Sequence, residues 1–101
     1  MRYFSWDKNK AKKNFKDHKI SFETATLVFD DPFFVRDFDW LAENEVRWHA
    51  IGMVDGHMLV LVVHTMQEDD GDEYIRIISA RRATQHEERK YLSRNRELGY
   101  L

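Results

Sequence analysis

The tetrapeptide V-D-G-H at residues 54–57 lies between two runs rich in β-branched and apolar residues, 46–53 and 58–66. Aspartate followed by glycine favours a two-residue type I′ turn, because both central positions need positive φ. A turn that tight joins antiparallel neighbours, so a hairpin is expected and the turn sets its register. Pairing Val54 with His57 puts Arg47 opposite His64. Trp48, Ala50, Leu61 and Val63 then share one face, and Arg47, His49 and His64 share the other.

Two further β runs are expected at 33–38 and 74–80. The link Q-E-D-D-G-D-E between 58–66 and 74–80 reads as longer and flexible, so the last strand is placed by burial. Setting Ile75 and Ile77 with Leu61 and Val63 sends Tyr74, Arg76 and Ile78 to the face of His64. An Arg47, His64, Arg76 row then crosses three adjacent strands.

Helices flank this sheet. Asp7 can cap K-N-K-A-K-K-N-F-K-D-H, with Trp6 placed as a hydrophobic staple and Ala11, Asn14, Phe15 and His18 on the packing face. Asn14 and His18 are expected there as core polar groups with backbone partners. Ser21 can cap a shorter helix that Asp30-Asp31-Pro32 ends, and T-Q-H-E at 84–87 is a capping box opening a last helix closed near Gly99. On that helix Tyr91, Leu92 and Leu98 read as core. The expected fold is α+β: two N-terminal helices, an antiparallel sheet of three to four strands and a C-terminal helix, with a short first strand possible at Tyr3 to Ser5. At 101 residues the chain suits one domain, 1–101.

Composition removes several function classes. The absence of cysteine excludes a disulfide framework and a thiolate site. H-E-E-R-K at 86–90 is not the H-E-x-x-H zinc signature, and there is no Gly-rich phosphate loop or G-x-S-x-G elbow. No metal and no cofactor are therefore expected. Neither a signal-peptide pattern nor a membrane-spanning run is found, which gives a cytoplasmic expectation with no membrane partner. The net charge of −2 conceals a segregation: +5 over residues 1–20, −11 over 21–75 and +4 over 76–101. If the basic ends meet in space they form a patch able to hold a polyanion.

A histidine flanked by arginines suits attack on a phosphodiester. Guanidinium groups grip phosphate oxygens bidentately and histidine can exchange a proton near neutrality. Arg47, His64, Arg76 and Arg81 are the candidate catalytic residues, and Lys10, Lys12, Lys13 and Arg82 the candidate RNA contacts. The structural alternative keeps His64 at the edge of the core and the arginines in surface salt bridges.

The segments F-S-W-D-K-N-K-A-K-K-N-F-K-D-H-K-I-S-F, R-W-H-A-I-G, V-V-H-T and R-I-I-S-A-R-R-A-T-Q-H-E-E-R-K-Y together resemble the BrnT family of bacterial toxins over residues 4–91. The resemblance implies a RelE-like ribonuclease toxin that cuts RNA without metal and inhibits translation. It also implies a cognate BrnA-like ribbon-helix-helix antitoxin, in a 2:2 complex that binds operator DNA through the antitoxin. The family's basic and polar positions fall on Lys10, Asn14, His18, Arg47, Arg76, Arg81, Glu88 and Tyr91. Asp17-His18-Lys19 stands where the family usually has Lys-His-Gly. Two other classes stay open: a nucleic-acid-binding module without catalysis, served equally by the basic ends, and an interaction protein whose acidic middle faces a basic antitoxin.

Overall fold

A computed structural model of the chain describes residues 1–42 and 45–100. The elements run β1 (Arg2–Ser5), α1 (Lys8–His18), α2 (Phe22–Thr26), a 3₁₀ turn (Leu27–Asp30), β2 (Val35–Ala42), β3 (Glu45–Val54), β4 (Met58–Asp69), β5 (Asp72–Arg82) and α3 (Gln85–Glu97). The α+β class is as expected, and the sheet is larger: five strands in the order β1-β5-β4-β3-β2. The short first strand joins β5 in parallel, so the sheet is mixed rather than purely antiparallel. No helix among the described residues is long and apolar enough to cross a membrane.

The helix starts follow local chemistry. The Asp7 carboxylate accepts from Asn9 N–H and Lys10 N–H, Ser21 Oγ accepts from Thr24 N–H, and Thr84 and Glu87 close a full capping box. Trp6 packs edge-on against Phe22, with ring centroids 5.9 Å apart. Helix α1 touches the sheet along a narrower stripe than its spacing suggests. Asn14 is buried, whereas Phe15 and His18 are exposed, which corrects the expectation of a core His18. Of the three α3 residues expected in the core only Tyr91 is buried; Leu92 and Leu98 are exposed.

Asn14 has a specific task. Strand β1 stops pairing with β5 at Ser5 and Arg76, which leaves the next stretch of β5 without a strand neighbour on that side. The Asn14 amide replaces the missing strand: its Nδ2 donates to Ala80 O at 2.8 Å and its Oδ1 accepts from Ala80 N–H at 3.0 Å. Helix α1 thus docks on β5, bringing the basic N-terminal segment against the strand that carries Arg76, Arg81 and Arg82.

Asp55 (φ 54°) and Gly56 (φ 76°) form the expected turn. The ladder, however, starts with Val54 opposite Met58, leaving His57 as an extra residue and moving each pair by one. Trp48, not Arg47, faces His64. Residues 59–63 are apolar throughout, so β4 has no alternation to hold it in the expected register and the extra turn residue decides. The second hairpin is tighter than expected: Asp70 (φ 52°) and Gly71 (φ 87°) make another positive-φ turn between paired Asp69 and Asp72. Ile78 is bulged on β5, between the Val63–Ser79 and His64–Ile77 pairs.

One sheet face carries Ala50, Val54, Val60, Val62, Ile75 and Ile77 against α1, α2 and the 3₁₀ turn. The other carries Val35, Ile51 and Leu61 against Tyr91 of α3. On the first face Gly52 admits the 3₁₀ turn: a Cβ built there lies 2.7 Å from Val28 O and 2.8 Å from Val28 Cγ1. Gly52→Ala must push the turn off the sheet. Denaturant unfolding should show a loss of about 1–3 kcal/mol, as for other overpacked cores; an unchanged midpoint would contradict this packing.

Candidate functional site

Helix α3 covers only part of its face. Alternation along each strand places Glu45 and Arg47 of β3, Thr65 and Gln67 of β4, Tyr74 and Arg76 of β5, and Tyr3 and Ser5 of β1 on the same side, beyond the helix. Two cross-strand rows result. Ser5, Arg76 and Thr65 are successive partners in one, and Tyr3, Tyr74 and Gln67 in the other. Between them opens a cleft of about 480 Å³ lined by Ser5, Glu45, Thr65, Gln67, Tyr74 and Arg76.

The charges in this cleft converge on one carboxylate. Arg76 Nη2 donates to Glu45 Oε1 at 2.5 Å, and Arg47 Nε lies 4.0 Å from Glu45 Oε2. Arg47 Nε is buried and makes no hydrogen bond within the described structure. Glu45 therefore links β3 to β5 across the position of Thr65. Two guanidinium groups around a carboxylate at the wall of an open cleft can do two things. They can hold a phosphate anion, and the carboxylate they release can accept a proton.

Arg47 and Arg76 share a face as expected, and His64 does not lie between them. The shifted register turns His64 to the opposite side of the sheet, where it is 0 % exposed. Its ring meets Phe29 edge-on at 5.2 Å, and Nδ1 lies 3.1 Å from Thr65 O. Burial, foremost, holds its pKa down to about 4, so the ring is neutral at pH 7. The middle of the row is occupied instead by Thr65, the cross-strand partner of Arg76.

Arg81 is committed elsewhere. Its two terminal nitrogens donate to Glu87 Oε1 and Oε2 at 2.8 and 2.9 Å, and Arg81 foremost holds the Glu87 carboxyl down at about 2. Because Glu87 is also the capping-box residue of α3, Arg81 fixes where that helix starts. Lys10 and Lys13 border a smaller hollow with Asn14, His18, Ile78 and Ser79 at the α1–β5 junction, and Lys13 pairs with Asp17 at 2.7 Å. Lys12 and Arg82 are exposed. Lys19 takes the left-handed C-cap conformation (φ 61°) without being glycine.

Glu45 escaped the sequence reading. Its one available signal was the E-V-R spacing, which on a strand puts carboxylate and guanidinium on one face. Tyr74 was placed beside Arg76 by strand alternation, whereas Ser5 and Thr65 carried no signal of their own, since their meeting with it depends on the parallel β1 pairing and on the β4 register.

A family model described as "Ribonuclease toxin, BrnT, of type II toxin-antitoxin system" matches residues 6–87. A search of curated protein sequences returns no significant match. Among solved structures, the fold is similar to that of the ribonuclease toxin BrnT from Brucella abortus, with a TM-score of 0.56 and 21 % identity. The alignment covers 84 % of this chain and 99 % of the Brucella chain.

The burial of His64 has a measurable consequence. Its folded pKa lies below the unfolded value of about 6.5, so the unfolded chain binds the extra proton first and stability falls as pH drops from about 6.5 to about 4. The part due to His64 is about 3 kcal/mol. Chemical denaturation across this range should show that loss in the wild type and a flatter profile in His64→Leu. Identical profiles would place His64 in solvent.

Proposed function

The chain belongs to the BrnT family of ribonuclease toxins of type II toxin–antitoxin systems, and from that membership we propose that RNA is cut in the open cleft around Glu45, Arg47 and Arg76. The observation that carries this reading is the Glu45 carboxylate held between two arginines on the part of the sheet that α3 leaves uncovered. An incoming phosphodiester exchanges with Glu45 for the guanidinium groups. Glu45 then takes the proton of the adjacent 2′-hydroxyl as that oxygen bonds to phosphorus. The P–O5′ bond breaks, and the leaving oxygen takes a proton from solvent, to which the cleft is open. Arg76 and Arg47 stabilise the extra negative charge of the pentacoordinate transition state.

In this scheme Arg81 is a positioning residue, acting through Glu87 on the placement of α3. Lys10, Lys12, Lys13 and Arg82 bind flanking phosphates, a use supported by the docking of the basic helix α1 on β5, the strand that carries Arg76, Arg81 and Arg82. The reaction needs no metal. We further propose that the toxin acts in the cytoplasm by blocking translation. Its antitoxin is of the ribbon-helix-helix, BrnA-like kind, pairs two toxins in a 2:2 complex that binds operator DNA, and covers the arginine cleft.

Arg76→Ala should lower cleavage by about 10²-fold, the scale of losing one preorganised donor. Glu45→Gln should lower it by roughly 10²- to 10⁴-fold, as for loss of a general base. The Arg76–Glu45 pair is largely exposed, with side chains 48 % and 38 % accessible, so thermal melting should barely change in either variant. Purified protein should cut single-stranded RNA in EDTA. Full activity in both variants, or strict dependence on a divalent ion, would contradict the scheme.

A further inference from the structure

Tyr3 and Tyr74 are cross-strand partners whose rings stack with centroids 5.2 Å apart and planes 17° from parallel. Both rings are exposed, at 44 % and 45 %. A cross-strand aromatic pair steadies the sheet, and rings left exposed are also open to stack on a ligand. This pair stands on the open face, one pleat repeat (about 6.8 Å) along β5 from Arg76. Tyr74 also lines the cleft beside Arg76, while Tyr3 backs it from the edge strand.

We propose that Tyr74, backed by Tyr3, is a nucleobase subsite: one unpaired base of the RNA stacks on the Tyr74 ring while the adjoining phosphate lies on Arg76. The inference rests on the cleavage site assigned above and adds to it the element that selects single-stranded RNA. Aromatic rings beside a cation match the alternation of base and phosphate in an unpaired strand, and a duplex keeps its bases stacked on one another instead. The cleft volume of about 480 Å³ is of the size that takes a small ligand. Gln67, directly across from Tyr74, offers an amide donor and acceptor to the edge of the base. Beyond Tyr74 the surface turns acidic, with Glu68 and Asp69 beside Gln67. Carboxylates there repel a second phosphate, so the charge pattern orients the strand with its phosphate toward Arg76. Tyr3 lies outside the segment matched by the family model, residues 6–87, so it can be changed without touching the matched motifs.

The test uses two fluorescent probes at fixed salt. One is a single-stranded 2′-O-methyl oligoribonucleotide, which cannot be cleaved because its nucleophile is blocked, and the other an abasic oligomer of the same length. Fluorescence anisotropy should show Tyr74→Ala losing roughly 10- to 100-fold in affinity for the base-bearing probe, the scale of one stacked base. Its affinity for the abasic probe should not move. Tyr74→Phe should bind both probes like the wild type, and Arg76→Ala should weaken both. Tyr74→Ala binding the base-bearing probe as tightly as the wild type, or losing both probes equally, would overturn the base subsite and leave the cleavage site standing. If Arg76→Ala changed neither probe, the phosphate site itself would fall, and the subsite with it. Loss of antitoxin binding in Tyr74→Ala with both RNA affinities intact would reassign the rings to the protein partner.

Discussion

A single buried carboxylate decides how the two halves of this molecule meet. Asp31 is 8 % exposed and accepts from three donors: Phe33 N–H at 2.8 Å, Met53 N–H at 2.7 Å and Tyr91 Oη–H at 2.7 Å. The first bond shapes the exit from the 3₁₀ turn, the second ties it to β3, and the third holds α3 from the far side of the sheet. A buried carboxylate is tolerated only when hydrogen-bonded, and here the donors come from the adjoining turn, β3 and α3. Burial, then Asp31, pushes the Tyr91 hydroxyl pKa far up, which keeps it a donor at any ordinary pH. Asn95 adds a bond to Phe33 O at 2.9 Å, and Asp37 receives Lys90 and Arg94.

What this anchoring leaves open is as important as what it covers. With α3 fixed over Val35, Ile51 and Leu61, the remaining part of the same face stays uncovered, and it is there that Glu45, Thr65, Tyr74 and Arg76 gather. The helix-covered face underneath is closed by a different device. Arg2 and Arg36 both bind Glu73 and lie over the Phe34 ring, at 5.3 Å each, so charges on that side are consumed in holding β1 and β2 to the sheet. On the α3 side Arg81 serves the fold as well, through Glu87, whereas Arg76 lines the open cleft. Arg76, 48 % accessible in the cleft, reads as functional and Arg36, held between Glu73 and the Phe34 ring, as structural, although their side-chain chemistry is the same.

The helix caps and the first turn were legible in the sequence, because Asp7, Ser21, Thr84 and Asp55-Gly56 each act through bonds within a few residues. The shared face of Arg47 and Arg76 came out as expected although both were placed by way of His64, because a one-residue shift of β4 between them moves the two placements together. Strand β4 was not legible, since 59–63 is apolar on both sides and a single extra residue, His57, inverts it. That inversion moved His64 into the core and brought Thr65 out. The parallel pairing of β1 could not be read locally either, because its partner lies some 70 residues away in sequence and Arg2–Ser5 is only four residues long. Consequently the tyrosine pair and the Ser5–Arg76–Thr65 row emerge only from the assembled sheet.

The division between a closed histidine face and an open arginine face is tested most directly by side-chain NMR on one sample, following the imidazole nitrogens of His64 together with the Tyr74 ring and the Arg76 guanidinium. With pH lowered and an uncleavable single-stranded oligoribonucleotide then added, His64 should stay neutral to below pH 5 and keep its shifts. The Tyr74 and Arg76 signals should move as the RNA binds. A His64 that titrates near 6.5 and shifts with the RNA, beside unmoved Tyr74 and Arg76, would contradict the register, the site and the reading built on them.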